Sequence, residues 1–360
     1  MSVQAQTSRG GVSIPPRYPE RFVGAIRHPA LWLWDSWVMR ADSRLHLYCL
    51  ALSRVTEDGD PITPAQLNDY GFHYRHFVSG DDGDSWQDHG AVLRPGNLAD
   101  GSDGGNVWSG GVYPLDDGRV LFGYTGIEHD SPDRHFIQSP TFAVGAPDGP
   151  TQFLATAQSH PVRDRALITA AGYYLPDAAV IGANDGEEGG PILAWRDPFI
   201  FDDGGTLRAV WSAKLGPREP CVAHAVLRER DGAWTATLQP PIRLPDAADY
   251  TQAEVPKLCW DESSESWLMM ISACDRLYEQ QPDPEVTKGL RLYRALSVAG
   301  PWEPAFPHGS VIRGVDHLFG ASFADRTVAG DRVRLVAPYT VKIGLERAMS
   351  FAPIQTIALP

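Results

Sequence analysis

The chain has 360 residues and a formal charge of −14, which argues against nucleic acid and anionic membranes as partners. Hydrophobic residues at 43% and eleven tryptophans are ample for a sizeable core, while 35 glycines and 30 prolines favour many turns and an all-β fold. Met1 to Gly11 is polar and lacks the apolar stretch of a secretory signal, and no apolar run approaches membrane-spanning length, so a cytoplasmic location is the expectation.

Taken in order, the strand-like segments fall into five hairpin units. Trp34-Asp35-Ser36-Trp37 runs as a strand to a polar turn at Asp42-Ser43. His73 to Val78 reads as a further strand, followed by Ser79-x-Asp81-x-Gly83-x-x-Trp86, which matches the Asp-box turn of several propellers. We assign that turn a bracing role and no chemistry. Trp108-Ser109-Gly110-Gly111-Val112-Tyr113 runs to a turn at Asp116-Asp117-Gly118, then to Val120 through Tyr124. The segment from Asp164 to Gly190 is less regular and reads as a long loop over a mouth. Trp195-Arg196-Asp197-Pro198 precedes Phe199-Ile200-Phe201 and a turn at Asp202-Asp203-Gly204. Cys221 to Leu227 follows as an outer strand. Ala253-Glu254-Val255-Pro256 precedes Lys257-Leu258-Cys259-Trp260 and a turn at Asp261-Glu262-Ser263, with Leu290 to Ala295 outside it. Ala321-Ser322-Phe323 leads through Gly330-Asp331 into Val333 to Ala337.

These starts recur every ~60–90 residues, which suits four-stranded blades, and five of them imply a five-bladed β-propeller rather than a two-sheet sandwich. Residues 1–29 read as an N-terminal extension and 30–360 as a single propeller domain. The four cysteines, Cys49, Cys221, Cys259 and Cys274, show no metal-type spacing, and Cys49 and Cys259, in apolar strand-like runs, read as free buried thiols.

Asp35, Asp197 and Glu254 occupy the same place in three of the units, about six or seven residues before a hairpin turn. Acids placed alike in units that surround an axis converge on one point. Glycosidic cleavage needs such a group: one acid to protonate the leaving oxygen and a carboxylate to act at the anomeric carbon. A third carboxylate can hold sugar hydroxyls and stabilise an oxocarbenium-like transition state. A single acid at a strand start is more often solvated or paired with arginine; three in register, flanked by Trp and Arg, point to a site.

At these stations the chain resembles the levansucrase-type β-fructosyltransferases of glycoside hydrolase family 68, which are related to the invertases and the arabinanase-like propellers. Trp34-Asp35-Ser36-Trp37, Trp108-Ser109-Gly110, Arg196-Asp197-Pro198 and the Glu254 segment carry the resemblance, over roughly residues 30 to 340. It implies a retaining enzyme acting on sucrose or a related β-fructofuranoside, with Asp35 as nucleophile, Ser109 hydrogen-bonded to it, Asp197 binding two fructosyl hydroxyls, and Glu254 as acid/base. It further implies Trp34 and Trp108 as walls of the fructosyl pocket, Arg196 as a ligand of substrate hydroxyls, and Arg276 in Cys274-Asp275-Arg276 as a contact of the leaving sugar. The chain departs from the family where Val255 replaces the usual Arg after the acid/base Glu, and where His317-Leu318-Phe319 stands in place of a C-terminal Tyr. No organic cofactor is expected. A structural calcium ion stays open, and Asp100-Gly101-Ser102-Asp103-Gly104 is a loop with oxygen ligands of the right kind. Two other readings remain at this point: an inverting arabinofuranosidase or xylosidase on the same propeller, and a non-catalytic carbohydrate-binding propeller.

Overall fold

The computed structural model describes residues 20–131, 134–154, 159–183, 192–230, 233–278 and 281–359. Most of the first part of the N-terminal extension therefore lies outside the described residues, as do residues 184–190 of the irregular segment. Among the described residues, no helix is long and apolar enough to cross a membrane.

The strands form five antiparallel sheets that make a five-bladed propeller. Blade I contains β1 (Arg21–Val23), β2 (Leu31–Ala41), β3 (Arg44–Ser53), β4 (His73–Ser79) and β5 (Ser85–Leu93), in the order β1-β5-β4-β3-β2. Residues 21–23 of the predicted extension thus pair along β5 and complete the blade. Blade II is β6 (Asn106–Pro114), β7 (Val120–Glu128), β8 (Ile137–Ala146) and β9 (Gly149–Leu154). Blade III is β10 (Arg196–Asp203), β11 (Thr206–Gly216), β12 (Glu219–Arg230) and β13 (Ala233–Ile242). Blade IV is β14 (Gln252–Asp261), β15 (Ser266–Cys274), β16 (Lys288–Ala295) and β17 (Glu303–Pro304). Blade V is built from β18 (Ser322–Phe323), β20 (Arg332–Val336) and β21 (Gln355–Ala358), while β19 (Thr327–Val328) crosses to run parallel to β14.

Successive side chains of a strand point to opposite faces, and the middle strands are buried along almost their whole length, so both faces of these blades carry surface that must be covered. Stacking the blades around a ring covers it. Five buried clusters result, one in each gap between neighbours. Trp37, Tyr74 and Phe122 lie between blades I and II; Leu121, Trp195 and Trp211 between II and III; Phe201, Trp267 and Met269 between III and IV; Leu268, Leu292 and Leu335 between IV and V; Leu47, Trp86 and Phe351 between V and I. The innermost strands β2, β6, β10, β14 and β18 contact one another in turn around the axis.

Short turns set the hairpins. Asp42 and Ser43 both adopt left-handed backbone (φ 48° and 60°) between β2 and β3, the geometry of a two-residue turn matched to strand twist. In the Asp-box turn, Asp81 Oδ1 accepts from Ser85 N at 2.8 Å and Ser79 Oγ accepts from Gly83 N at 2.7 Å, while Trp86 is buried. The irregular stretch after Asp164 contains a short helix, α1 (Arg165–Ala170), and buries Ile168, Tyr173, Leu175 and Ile181 against blades II and III. It is a packed connector up to residue 183, because its apolar side chains join the buried cluster between those blades. All four cysteines are free and buried.

Ring closure joins blades V and I without a shared sheet. Ile26 and Phe351 exchange backbone hydrogen bonds at 3.1 and 3.0 Å, and Ser36 N donates to Gly320 O at 3.0 Å. Ser36 Oγ lies 3.1 Å from Val336 O, and Ser322 Oγ donates to Ser36 O. Arg326, just before β19, reaches the inner strands β10 and β6, donating to Ile200 O at 3.0 Å and to Val112 O.

A charge pair inside blade I offers a direct check. Arg75 and Asp88 are both fully buried and bonded twice, at 2.8 and 2.6 Å, with His28 Nε2 3.2 Å from the same carboxylate. Arg75→Met leaves Asp88 without its main countercharge, and an equilibrium denaturant titration is expected to show a loss of about 3–5 kcal/mol.

Candidate active site

Four of the five innermost strands are interrupted at the predicted stations. The β2–β3 register slips between Trp34 and Ser36, leaving Asp35 out of the ladder. The β6–β7 register slips between Trp108 and Gly110 around Ser109, the β10–β11 register between Arg196 and Phe199, and the β14–β15 register between Glu254 and Lys257. An extra residue of this kind bends the strand and re-aims a side chain. Asp35 and Asp197 take positive φ values of 36° and 66°. Pro198 and Pro256 follow within the bulges, where a residue without an N–H deprives no partner.

The three acids are not strictly equivalent. In blade IV the left-handed residue is Val255 (φ 42°), and Glu254 still pairs with Ser272. The position that matches Asp35 and Asp197 in backbone conformation is therefore Val255, with Glu254 one residue earlier. A β-branched residue at positive φ is strained, and such strain concentrates at functional sites.

The bulges bring the side chains into one hydrogen-bonded group. Ser109 Oγ donates to Asp35 Oδ2 at 2.5 Å. Asp197 Oδ2 accepts from Val255 N at 3.1 Å, and Asp197 N donates to Thr125 Oγ1 at 2.7 Å. Arg196 is the cation between the acids: Nη2 is 3.4 Å from Glu254 Oε1, and Nε is 3.8 Å from Asp197 Oδ2. The same guanidinium donates to Gln252 Oε1 at 2.7 Å and Gln138 Oε1 at 3.2 Å, which fixes its plane. Cys274 Sγ lies 3.6 Å from Glu254 Oε1; burial pushes this thiol up, and the adjacent Glu254 carboxylate adds to the effect.

Trp34 and Trp108 are half-buried. Trp34 meets Phe72 edge-on at 4.8 Å, Trp108 meets Phe136 at 4.7 Å, and the Arg196 guanidinium is 5.8 Å from the Trp108 ring. Arg276 lies on the blade IV side, beyond Cys274. Its Nη1 donates to Gln281 O at 2.6 Å, and its carbonyl accepts from Thr251 Oγ1 at 2.6 Å and Gln252 Nε2 at 3.2 Å. Part of that guanidinium is therefore spent in holding the loop after β15. His317 stacks on Tyr339 at 6.0 Å.

Electrostatics separates the carboxylates. Burial, reinforced by the Asp197 charge, lifts Asp35 to about 7, against the pull of the Ser109 hydrogen bond. Burial likewise lifts Asp197 to about 6, although Arg196 opposes it. Close carboxylates resist joint ionisation, and the Asp35–Asp197 pair shows that effect.

Three residues that shape the site had little or no signal in the sequence. Gly320 (φ 59°) packs so tightly on Asp35 that an added Cβ would lie 2.0 Å from Asp35 Oδ1 and 2.9 Å from its Cα. Ser272 Oγ holds Gly320 N at 2.9 Å. Lys257, fully buried, donates to Gly110 O at 2.9 Å. Only Lys257 left a trace, as a lone charge beside the apolar run Leu258-Cys259-Trp260.

The Asp100–Gly104 loop does not fit a calcium ion. Asp100 Oδ1 accepts from Ser102 N and Oγ, Asp100 Oδ2 faces Arg163 Nη2 at 3.2 Å, and Asp103 accepts from Asn97 N, Leu98 N and Tyr124 OH. These carboxylates brace their own turn. Among the described residues, Glu20, His28 and Asp88 form one group with metal-like spacing. His28 Nδ1 accepts from Ala30 N, however, so Nε2 carries the proton that it donates to Asp88. Arg75 occupies the same carboxylate, and the group is an ion-pair network.

No protein-family model matches the sequence, and no curated protein matches it. Among solved structures, the chain is similar to an inulosucrase from Halalkalicoccus jeotgali bound to kestose, at 18% identity over 99% of this chain and 91% of that one, with a TM-score of 0.64. It is similar to Bacillus subtilis levansucrase at 15% identity over 92% and 85%, TM-score 0.63. It is also similar to a levansucrase complexed with sucrose, at 15% identity over 92% and 85%, TM-score 0.59. At these identities the likeness establishes a shared propeller fold across nearly the whole chain.

The charge state of Asp35 predicts a stability effect. Its folded-state value lies above the ordinary carboxylate value, so its favourable contribution is complete at low pH and is lost as pH rises through about 7. Asp35→Asn should therefore stabilise the protein, by about 1–2 kcal/mol at pH ~8 once water entering the pocket is allowed for. Thermal melts should show the gain shrinking toward pH ~5.

Proposed function

We propose that this protein is a retaining β-fructofuranosidase or fructosyltransferase that acts on sucrose or a related β-fructofuranoside. The observation that carries the reading is the set Asp35, Asp197 and Glu254 on three bulged inner strands, tied together by Ser109, Val255 N–H and Arg196. The shared fold with an inulosucrase that holds kestose and a levansucrase that holds sucrose supports it.

In this reading Asp35, oriented by Ser109, attacks the fructosyl anomeric carbon and forms a covalent ester as the glycosidic C–O bond breaks. Glu254 gives its proton to the leaving oxygen, then takes one from water or an acceptor hydroxyl that releases the fructosyl group. Asp197, held by Val255 N–H and flanked by Arg196, accepts hydrogen bonds from sugar hydroxyls and opposes the positive charge of the oxocarbenium-like transition state. Val255 is buried, so its side chain offers the leaving sugar no cation. Recognition of that sugar falls to Arg196 and the Arg276 side of blade IV.

Incubation with sucrose, inulin-type oligosaccharides and aryl arabinofuranosides, with product analysis by NMR, tests the reading. Release or transfer of fructose with retention is expected, and Asp35→Ala and Glu254→Ala should each lower turnover by at least ~10³-fold. Wild-type turnover in Asp35→Ala on every active substrate would remove the nucleophile assignment. Inert sucrose with inverting cleavage of an arabinofuranoside would replace the whole reading.

Two more outcomes follow from the geometry. Gly320→Ala should keep the fold and lower kcat by ~10²-fold, since a displacement of about 1 Å at the nucleophile is enough for that. The acidic limb of kcat/KM should lie near neutrality, because Asp35 must be ionised to attack and burial holds it at about 7. Activity should therefore fall as pH drops through that value, as a pH–rate profile will show.

A further inference from the structure

Lys257 is completely buried three residues after Glu254, on the strand that carries the acid/base. Its ammonium donates to Gly110 O, one residue beyond Ser109, at 2.9 Å. It lies 5.3 Å from the ring of Phe199 on β10 and 5.9 Å from the ring of Trp37 on β2. Four inner strands thus converge on one ammonium at the axis. An ammonium has three donors and is strongly hydrated in water, so burying it among a carbonyl and two aromatic faces is costly without a negative partner. Its contacts fall on Gly110, Phe199 and Trp37, each within two residues of Ser109, Asp197 or Asp35, so the negative partners at hand are Asp197 and Asp35.

We propose that Lys257 is a positioning residue for the reaction: a fixed internal cation that holds Asp35 and Asp197 in their ionised, catalytically competent forms. It touches no sugar in this role and acts through the two carboxylates. This rests on the fructosyl-transfer reading for its consequence in turnover, though not for the electrostatic coupling itself.

The groups around Asp35 define what Lys257 must counter. Ser109 of β6 donates to it; Asp197 of β10 and Glu254 of β14 bear like charge; Lys257 bears the opposite one. Cys49 of β3 and Tyr74 of β4 also stand in the field of Asp35, and blade V presents the Gly320 backbone. Arg196 is the other cation of the site, and it pairs with Asp197 and Glu254. Lys257 thus acts on both Asp35 and Asp197, and Asp197 has Arg196 beside it as well.

The test follows side-chain carboxylates by ¹³C NMR in aspartate-labelled protein, with the Asp35 signal assigned through Asp35→Asn. Lys257→Gln keeps a donor for Gly110 O and removes the charge; Lys257→Arg keeps the charge. Lys257→Gln is expected to raise the titration of Asp35 by about one pH unit, and Lys257→Arg to leave it near the wild-type value. On a turned-over fructoside, Lys257→Gln should move the acidic limb of kcat/KM up by the same amount, a loss of about tenfold below the limb, with KM little changed. A folded Lys257→Gln protein whose Asp35 titrates as in wild type overturns the proposal, even if its stability has fallen. Should Lys257→Gln not fold, the reciprocal measurement decides. The Lys257 ¹⁵Nζ titration is expected to move down in Asp35→Asn, and an unmoved value overturns the proposal. If no sugar is turned over at all, the functional reading fails while these two titrations still judge the coupling.

Discussion

Everything at the centre of this propeller depends on a break in backbone hydrogen bonding at the same height in four inner strands. A regular strand would send alternate side chains into the gaps between blades and leave the axis lined by backbone. The bulges at Asp35, Ser109, Asp197 and Val255–Pro256 rotate the chain so that polar side chains meet at the axis instead. Left-handed backbone at Asp35, Asp197 and Val255 is the local cost, of order 1–3 kcal/mol for each. The five apolar layers between blades are extensive enough to hold that strain in place.

Much of this was legible from the sequence. Aromatic-acid stations followed by strand and turn residues gave five blades, because β-strands and two-residue turns leave short-range marks. Asp35 and Ser109, 74 residues apart, could be paired through their matching places in the repeat, and they are hydrogen-bonded. Two things were not legible. Treating Glu254 as the equal of Asp35 and Asp197 missed a one-residue offset, since a bulge has no reliable signature beyond the proline that follows it. Gly320 and Ser272 act on Asp35 from blades V and IV across long sequence separations, and a single glycine or serine in a loop carries no mark of a partner so remote. The segment after Asp164 looked like a loop because its apolar residues lack a period, yet four of them are buried.

The charges of the site are also organised by the fold rather than by local sequence. Asp35, Asp197 and Glu254 place three carboxyl groups in one pocket, against the two cations Arg196 and Lys257. Arg196 arrives with Asp197 on β10 and is held flat by Gln138 and Gln252 from the neighbouring blades. Lys257 approaches along β14 and binds the carbonyl of Gly110 on β6. Trp34 and Trp108, neighbours in sequence of Asp35 and Ser109, are half-buried, while Arg326 bridges the inner strands β6 and β10. Val255 contributes its N–H to Asp197 and hides its side chain, so the position that resembles an arginine station serves here through the backbone alone.

The contact between Asp35 and Gly320 gives the order of assembly a meaning. Asp35 belongs to the first blade in the chain and Gly320 to the approach to the last. Ser36 N meets Gly320 O at the seam where the circle is joined. Four blades stacked correctly, with the fifth still undocked, would hold Ser109, Asp197 and Glu254 in place but leave the Asp35 carboxylate unbraced on one side. The full set of contacts around Asp35 is thus complete only once the fifth blade is docked against the first. Loosening of that seam would release this brace on Asp35 while the contact of Asp197 with Val255 N, between blades III and IV, persists.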